Sequence, residues 1–258
     1  MRTTDRPVFT GRPSLVGHRG LGRGAVDGHR ENTVGSMLAA LDAGVDWLEV
    51  DLNRTADDSL VAHHNPALPD GRFLVDITRA EAEAAGVVGL DVLLDALPPG
   101  IPVDLDVKTV LEDAVHPAAR RTAALLAPLL ESEAGRRPLL VTSFDPAALL
   151  GLRERVPAPA YGLISWIDFP LRHAVATAAG LGLDVVAVHL GSFGPNRVEP
   201  GPVHRPVRDS VATAHDAGLE VLAWCPDPGA ARELVAAGVD ALVLNDVPTA
   251  VPAVRAGW

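Results

Sequence analysis

The chain has 258 residues, of which 48% are hydrophobic, so it is long enough for one large α/β domain or two small ones and apolar enough for a real core. Its formal net charge of −11 argues against a nucleic-acid-binding protein and against a protein held on an anionic membrane surface. The single cysteine, Cys225, excludes an internal disulfide and a cysteine-based zinc site. The N-terminus shows no apolar leader and no segment approaches the length of a membrane span, so we expect a cytoplasmic protein without stable membrane insertion.

The first predicted elements already carry candidate site residues. A short apolar strand, Ser14–Gly17, runs into a loop that begins at His18, and a second strand is predicted over Trp47–Leu52. Because side chains alternate along a strand, Glu49 and Asp51 point to one face, away from their apolar neighbours. Two carboxylates on one face of an apolar strand are costly to bury unless a positive group lies between them. The pattern therefore predicts a site for a hard cation such as Mg²⁺ or Ca²⁺.

A second histidine follows the next short apolar run. His64 comes just after Leu60–Ala62, and two imidazoles near a carboxylate-bound cation suit acid–base chemistry on a phosphate ester. His63 is predicted to point to the opposite face of the chain and to be structural. The segment at about 65–99 departs from the pattern of the rest of the chain, so we interpret it as an insertion after the second strand; it contains short predicted helices near Arg79–Ala85 and Asp91–Leu97.

Along the chain, beginning at Gly44-Val45-Asp46, a glycine, an apolar residue and an acid repeatedly separate a predicted helix from a predicted strand. Glycine is typical just after the last helical turn, and continuous apolar runs are typical of parallel strands that are buried on both faces. The further strands are predicted over Val103–Val107, Leu139–Ser143, Ala160–Ile164, Val185–His189, Glu220–Trp224 and Ala241–Leu244, with helices over Thr33–Asp42, Ala118–Glu131, Pro146–Arg155, Leu171–Ala179, Val207–Ala217 and Ala230–Ala237.

Eight strands alternating with helices predict a single α/β domain over residues 1–258, a (β/α)8 TIM barrel with the small insertion after its second strand. A doubly wound sheet is the alternative, but no G-x-G-x-x-G motif follows any strand. In a barrel the carboxyl ends of the strands carry the chemistry. The third predicted strand ends in Asp106-Val107-Lys108, and Lys108 is the only lysine of the chain. Either this position needs a compact ammonium that the planar guanidinium of arginine cannot imitate, or one lysine survived by chance.

An ordered set of motifs resembles the glycerophosphodiester phosphodiesterase family over nearly the whole chain. The matching segments are His18-Arg19-Gly20, Glu31-Asn32-Thr33, Gly44–Asp51, Ala62–Asn65, Asp106–Lys108, Ser143-Phe144-Asp145, Ala217–Leu219 with Trp224, and Gly238–Asp246. The resemblance implies a TIM-barrel hydrolase that cleaves glycerophosphodiesters to sn-glycerol 3-phosphate and an alcohol.

The same resemblance implies roles for individual residues. Glu49, Asp51 and Asp106 would bind one divalent cation, His18 and His64 would be the acid–base pair, and Arg19 and Lys108 would hold the phosphate. Which histidine is the acid stays open. Trp224, at a strand end, is expected to line the substrate pocket, and Glu31, Asn32 and Asn65 to support the site residues from behind.

Departures from the family pattern keep alternatives open. Arg30 replaces a proline, the loop from Gly20 to Glu31 is longer than usual, and Asn65 replaces an aspartate. Asp106 replaces the more common glutamate, which is similar to spider-type sphingomyelinase D enzymes. A lysophospholipase D or a sphingomyelinase D-like phospholipid transphosphatidylase is therefore an alternative, with an apolar wall supplied by Trp166, Phe169 or Phe193.

Two alternatives come from other classes. One is a Schiff-base enzyme built around Lys108, although the acidic neighbours would favour a charged ammonium over a free amine. The other is a barrel that binds phosphodiesters without cleaving them, which leaves both candidate proton carriers unexplained. The sequence does not predict an oligomeric state.

Overall fold

The computed structural model describes residues 7–11, 13–201 and 204–256. The expectation about the N-terminal segment falls mostly on residues 1–6, which lie outside these ranges. The described strands are β1 (Ser14–Gly17), β2 (Ala25–Val26), β3 (His29–Arg30), β4 (Trp47–Arg54), β5 (Leu60–Ala62), β6 (Val88–Gly89), β7 (Val103–Val107), β8 (Leu139–Ser143), β9 (Ala160–Ile164), β10 (Val185–His189), β11 (Glu220–Trp224) and β12 (Ala241–Leu244).

Eight of these strands form a closed parallel barrel in the order β1, β4, β7, β8, β9, β10, β11, β12. The barrel closes because β1 pairs in parallel with β12 on one side, with Val16 opposite Val243, and with β4 on the other, with Val16 opposite Trp47. The (β/α)8 barrel predicted from the sequence is confirmed. The predicted bounds of seven of the eight barrel strands match the observed ones, and β4 runs two residues further than predicted.

The helices are α1 (Val34–Asp42), α2 (Arg79–Ala84), α3 (Leu90–Ala96), α4 (Thr122–Glu133), α5 (Pro146–Arg155), α6 (Leu171–Gly180), α7 (Val207–Asp216), α8 (Pro228–Ala236) and α9 (Val247–Arg255). Side-chain caps fix several of the helix starts: Thr33 caps α1, Asp145 caps α5 and Asp227 caps α8. The helix predicted from Ala118 begins at Thr122 instead, after a short 3-10 turn over Ala118–Arg120. Among the described helices, none is long and apolar enough to cross a membrane.

The core has an outer and an inner layer. Alternate residues of the barrel strands, such as Leu48, Val50 and Leu52 of β4, face outward into a large apolar cluster shared with the surrounding helices. A smaller cluster fills the barrel interior and includes Trp47, which Phe9 contacts edge-on at 5.3 Å between ring centroids. Since the outer face of β4 is apolar, its polar residues Glu49 and Asp51 are left on the inner face, above Trp47.

The acid of the recurring glycine–apolar–acid pattern ties neighbouring strands together at their amino ends. Asp46 accepts a hydrogen bond from the backbone N–H of Leu15 at 2.8 Å, and Asp240 accepts one from Val221 at 2.8 Å. Asp184 accepts an equivalent bond from Tyr161, whereas Glu220 accepts from the backbone N–H groups of Val8 and Phe9, which precede the first strand. The pattern therefore marks the end of the barrel away from its carboxyl-end mouth.

The insertion between β4 and β7 begins with an antiparallel hairpin. β5 pairs with the end of β4, with Val61 opposite Asn53, and β6 pairs with β5. A separate apolar cluster under this segment includes Leu68, Leu74 and Ile77. Its hairpin brings the chain back to the barrel mouth immediately before His64, because the backbone N–H of His63 donates to the carbonyl of Asp51.

Candidate active site

The carboxyl ends of the barrel strands surround a cavity of about 820 Å³. The loops after β1 and β5 and the ends of β4, β7 and β11 deliver the predicted site residues to it, because parallel strands all present their carboxyl ends at one mouth. The predicted residues that line it are His18, Arg19, Glu31, Glu49, Asp51, His64, Asn65, Asp106, Lys108 and Trp224. Asn32, also predicted, lies just behind this wall and hydrogen-bonds to Asp51.

Three carboxylates converge on the floor of the cavity. β4 and β7 pair so that Asp51 lies opposite Asp106, two residues further along each strand than the pair of Glu49 and Asp104. One carboxylate oxygen from each of Glu49, Asp51 and Asp106 lies within 4.8 Å of the other two, and all three residues are buried. The Oδ1 atom of Asp106 is buried and has no hydrogen-bond partner among the described residues. Buried carboxylate oxygens with an unused acceptor fit a hard divalent cation, so this group could hold one.

Two cationic side chains lie against the carboxylates. The Nζ atom of Lys108 lies 2.9 Å from Asp51 Oδ1 and also contacts Asp106 Oδ2, and Arg19 Nε lies 3.0 Å from Asp51 Oδ2. The backbone N–H of Arg19 donates to Glu49 at 2.7 Å. The one lysine of the chain is therefore placed over the carboxylate cluster, at the end of β7 as predicted.

Burial and charge shift the pKa values of this cluster in opposite directions. Burial raises the pKa of Asp51, but Lys108, His64 and Arg19 together hold it well below its usual range. Burial, reinforced by the charges of Asp51 and Asp106, raises the pKa of Glu49 well above its usual range. Burial alone would lower the pKa of Lys108, but the surrounding carboxylates raise it. A lysine with a raised pKa is a charged donor, which disfavours a Schiff-base role.

The two candidate proton carriers are held by different partners. His64 Nδ1 lies 2.9 Å from Asp51 Oδ1, while His18 Nδ1 lies 2.7 Å from Asn245 Oδ1. Arg19 Nε donates to His18 Nε2 at 3.1 Å. A nitrogen that faces a carboxylate or an amide oxygen carries the proton, so in each ring Nε2 is the atom left for proton transfer.

His63 does not belong to the cavity wall. Its Nδ1 lies 2.8 Å from the carbonyl oxygen of Asn65, so it contacts the backbone of its own loop. The alternation argument that separated His63 from His64 in the sequence therefore agrees with where the two rings lie.

The supporting residues predicted around the site make specific contacts. Asn32 donates to Asp51 Oδ2 at 2.9 Å and accepts from the Asp51 backbone N–H at 3.2 Å, and Glu31 pairs with Arg19 at 3.1 Å. Both Arg19 and Asn32 adopt a left-handed backbone, with φ of 54° and 55°. Strained backbone of this kind persists where surrounding contacts fix it and is frequent at functional sites. Asn65 contributes its backbone carbonyl, to His63.

Sequence reasoning missed several residues of the cavity. Asp104 lies on the inner face of β7 and receives a hydrogen bond from Thr142 at 2.8 Å; the alternation that placed Asp106 applies to it equally. Burial and the charge of Glu49 raise the pKa of Asp104 well above its usual range. Asn245 and Cys225 reach His18, with Cys225 Sγ 3.4 Å from His18 Nδ1. Asn245 lies in one of the segments that match the family, but the sequence assigns a role to neither residue, because both meet His18 only when the barrel closes.

The aromatic wall is also composed differently from the prediction. Trp166 lines the cavity, but Phe169 and Phe193 do not, and Phe144 takes their place by stacking on Trp166 at 4.4 Å between ring centroids. On the other side Trp224 meets His189 edge-on at 4.4 Å. Trp224 Nε1 is buried without a hydrogen-bond partner among the described residues, so a donor is left for a ligand in the cavity.

Comparisons with known proteins place this site in a family context. A model of the glycerophosphoryl diester phosphodiesterase family matches residues 18–249. Among solved structures, a candidate glycerophosphoryl diester phosphodiesterase from Silicibacter pomeroyi DSS-3 is 24% identical, with 95% of this chain and 93% of that chain covered and a TM-score of 0.73. A glycerophosphodiester phosphodiesterase from Thermotoga maritima is 17% identical over 93% and 97%, with a TM-score of 0.71.

A phosphodiesterase from Oleispira antarctica, solved in complex with the product sn-glycerol-3-phosphate, is 21% identical over 94% of this chain and 97% of that chain, with a TM-score of 0.71. A search of curated proteins finds no match to this chain. At these identities the solved structures show a shared fold.

Proposed function

This chain belongs to the glycerophosphoryl diester phosphodiesterase family, and on that premise we propose that it cleaves glycerophosphodiesters to sn-glycerol 3-phosphate and an alcohol, with one bound Mg²⁺ or Ca²⁺ and two histidines. The observation that carries the proposal is the convergence of His18 and His64 with the carboxylates of Glu49, Asp51 and Asp106 at one barrel mouth. The Oleispira antarctica phosphodiesterase, whose structure is in complex with the product sn-glycerol-3-phosphate, supports the proposed product.

Glu49, Asp51 and Asp106 would hold the cation, which when bound polarises the phosphoryl group and offsets the charge that grows on its oxygens. Lys108 and Arg19 border the same carboxylates and are the protein's own cations at this place. We assign to both the binding of the non-bridging phosphate oxygens. Each is held by a buried carboxylate before substrate arrives, so little reorganisation is needed in the transition state.

The hydrogen bonds of the two rings favour a division of roles. His18 Nε2 accepts a hydrogen bond from Arg19 and is therefore unprotonated in this arrangement, which suits a general base that removes a proton from the attacking hydroxyl. His64 is held by Asp51 through Nδ1 and presents Nε2, which suits a general acid that protonates the leaving alkoxide. An attacking water and an attacking substrate hydroxyl would use the same two groups.

The proposal is tested with purified protein on a panel of glycerophosphodiesters, before and after EDTA treatment and after Mg²⁺ or Ca²⁺ is returned. We expect release of sn-glycerol 3-phosphate, identified by its conversion with a stereospecific dehydrogenase, and loss of release in EDTA that either cation reverses. Release of a phosphorylated alcohol in place of glycerol 3-phosphate would contradict the assignment of the cleaved bond. Undiminished activity in EDTA would contradict the metal site.

A lysophospholipase D activity is a second candidate, and the rim of the cavity favours it. Trp166 and Ile167, in the loop after β9, are 66% and 54% exposed although both are large apolar residues that line the cavity. Exposed apolar surface at a cavity mouth marks a contact for an apolar ligand, and a single acyl chain would cover it. The stack of Trp166 on Phe144 joins this rim to the neighbourhood of Lys108, which lies 5.6 Å from the Phe144 ring centroid.

Activity on monomeric lysophosphatidylcholine and on glycerophosphocholine separates the two candidates. If the acyl chain lies on the aromatic rim, Trp166→Ala lowers kcat/KM for the lysophospholipid much more than for glycerophosphocholine. Leu111→Ala is the matched control, because Leu111 is 86% exposed but does not line this cavity. Equal losses on both substrates would exclude the acyl-chain role of the rim.

A further inference from the structure

A third basic residue of the cavity, Arg23, lies in the lengthened loop between β1 and α1. Its side chain is exposed and lines the cavity wall. Of the three basic residues that line this cavity, Arg19 and Lys108 are committed to carboxylates. Among the residues that the structure describes, the Arg23 side chain has neither an ion pair nor a hydrogen bond, so its charge is free to bind a ligand.

The position of Arg23 is fixed by its backbone. The Arg23 N–H donates to Asn245 Oδ1 at 3.2 Å, and the same oxygen lies 2.7 Å from His18 Nδ1. The next residue, Gly24, accepts from the Glu31 N–H at 2.7 Å and donates to the Glu31 carboxylate. The guanidinium therefore projects from a segment whose backbone is anchored by the same Asn245 oxygen that contacts His18.

A glycine lets this segment reach the barrel. Gly22 has φ of +138°, and a Cβ atom at this position would lie 2.6 Å from the backbone nitrogen of Asp246, too close for any other residue. Just beyond, the backbone N–H of Val247 donates to the carbonyl of Leu21 at 2.9 Å. The close approach to the end of β12 holds Arg23 at the rim above His18.

The charged residues that line the cavity indicate what the unpaired Arg23 side chain can bind. Five carboxylates and three basic side chains line it, and Arg19 and Lys108 are engaged by carboxylates and assigned to the reacting phosphate, so Arg23 is the basic side chain left for a further anionic group. The net charge of −11 means that the protein as a whole does not attract such a group. Arg23 supplies that attraction locally, on the side of His18 and away from the carboxylate floor.

This inference rests on the proposed function and refines it: we propose that Arg23 is a specificity residue that binds a second anionic group of the substrate, a phosphate or a carboxylate, on the side of His18. The preferred substrates are then glycerophosphodiesters that carry a second anionic group. The reacting phosphate stays with Lys108 and Arg19. The group bound by Arg23 is remote from the reacting atoms, so its contribution falls mainly on KM.

The test compares three diesters: glycerophosphoglycerol, the same diester with a terminal phosphate, and glycerophosphoglycerate. Arg23→Ala should lower the ratio of kcat/KM for each anionic diester over glycerophosphoglycerol about tenfold, the scale of one charge-assisted hydrogen bond. Arg23→Lys should retain part of the ratio. Arg232→Ala is the matched control, an exposed arginine of α8 that does not line the cavity, and it should leave the ratio as in the wild type.

An unchanged ratio in Arg23→Ala, or the same fall in Arg232→Ala, would overturn the proposal. An equal loss on all three diesters would overturn it too, because Arg23 would then act on the reacting phosphate. Calorimetric binding of the phosphorylated diester, with the metal present, separates this inference from the proposed function. A tenfold loss of affinity in Arg23→Ala without turnover in the wild type would keep the anion contact and reject the phosphodiesterase activity on these substrates.

Discussion

At the scale of single residues, Asp51 is the centre of the candidate site. Its two oxygens meet Lys108, Arg19, His64 and Asn32, all within 3.0 Å. A buried carboxylate is stable only if its charge is met from several sides, and here the partners are also the groups to which we assign chemistry. Asp51, itself a candidate metal ligand, therefore holds two proposed phosphate-binding cations and a proposed proton carrier in a common geometry.

Lys108→Arg tests whether this geometry needs an ammonium. The guanidinium is broader and planar, and cannot take the place of a compact ammonium between Asp51 and Asp106. We expect a loss of about 2–4 kcal/mol of transition-state stabilisation, seen in kcat more than in KM. Steady-state kinetics of Lys108→Arg and Lys108→Met on glycerophosphocholine measure it. Near wild-type turnover in Lys108→Arg would mean that the one lysine has no special role.

The two histidines are distinguished by the leaving group. We expect His18→Ala and His64→Ala each to lower the rate on glycerophosphocholine by roughly 10²–10⁴-fold. On the p-nitrophenyl ester of glycerol 3-phosphate, the leaving p-nitrophenolate needs no proton. With this substrate the rate of the His64 variant should recover and that of the His18 variant should not. The reverse pattern of rescue would exchange the two roles.

His63→Ala is the matched control for the histidine variants, since its ring contacts only its own loop in the described structure. It should retain most of the wild-type rate if the fold is kept, which circular dichroism checks. Equal losses in His63→Ala and His64→Ala would contradict the assignment of His64.

At the scale of elements, the sequence predicted the barrel because two local signals agree. Apolar runs such as Val185–His189 read as buried strands, and glycine followed by an acid separates them from the helices before them. Elements without such signals were missed. The β2–β3 hairpin has only two residues in each strand, and α9 contains Pro252 in its interior, which argues against a helix until tertiary contacts favour one.

The strand-tying acids give a prediction about stability that is separate from catalysis. Asp240 accepts from the Val221 backbone N–H and lies 2.7 Å from His215 Nε2, so Asp240→Ala leaves a buried donor without its partner. We expect a loss of about 1–3 kcal/mol in the free energy of unfolding, measured in urea, with kcat of the folded enzyme unchanged. Asp42→Ala, at an exposed position of α1, is the control. A comparable loss of unfolding free energy in both variants would contradict the role of Asp240 in linking the two strands.

At the scale of the whole molecule, barrel closure assembles the site. β1 and β9 lie opposite each other in the strand order, so Arg23 and the Trp166 rim face each other across the mouth, with the carboxylates of β4 and β7 to one side. A diester bound at the carboxylates can thus send one arm toward a cation and the other toward an aromatic surface. The sequence could predict Glu49 and Asp51 as neighbours from one strand, but contacts such as Asn245 to His18 span 227 residues and depend on closure.

In the proposed mechanism, hydrolysis depends on a divalent cation bound by Glu49, Asp51 and Asp106. Titration calorimetry of metal-stripped protein with Mg²⁺ or Ca²⁺, followed by the rate on glycerophosphocholine in the same samples, measures binding and activity together. We expect one ion bound per chain, a rate that rises with occupancy, and strongly weakened binding in Asp51→Asn. Equal binding by wild type and Asp51→Asn, or a rate that does not follow occupancy, would contradict it.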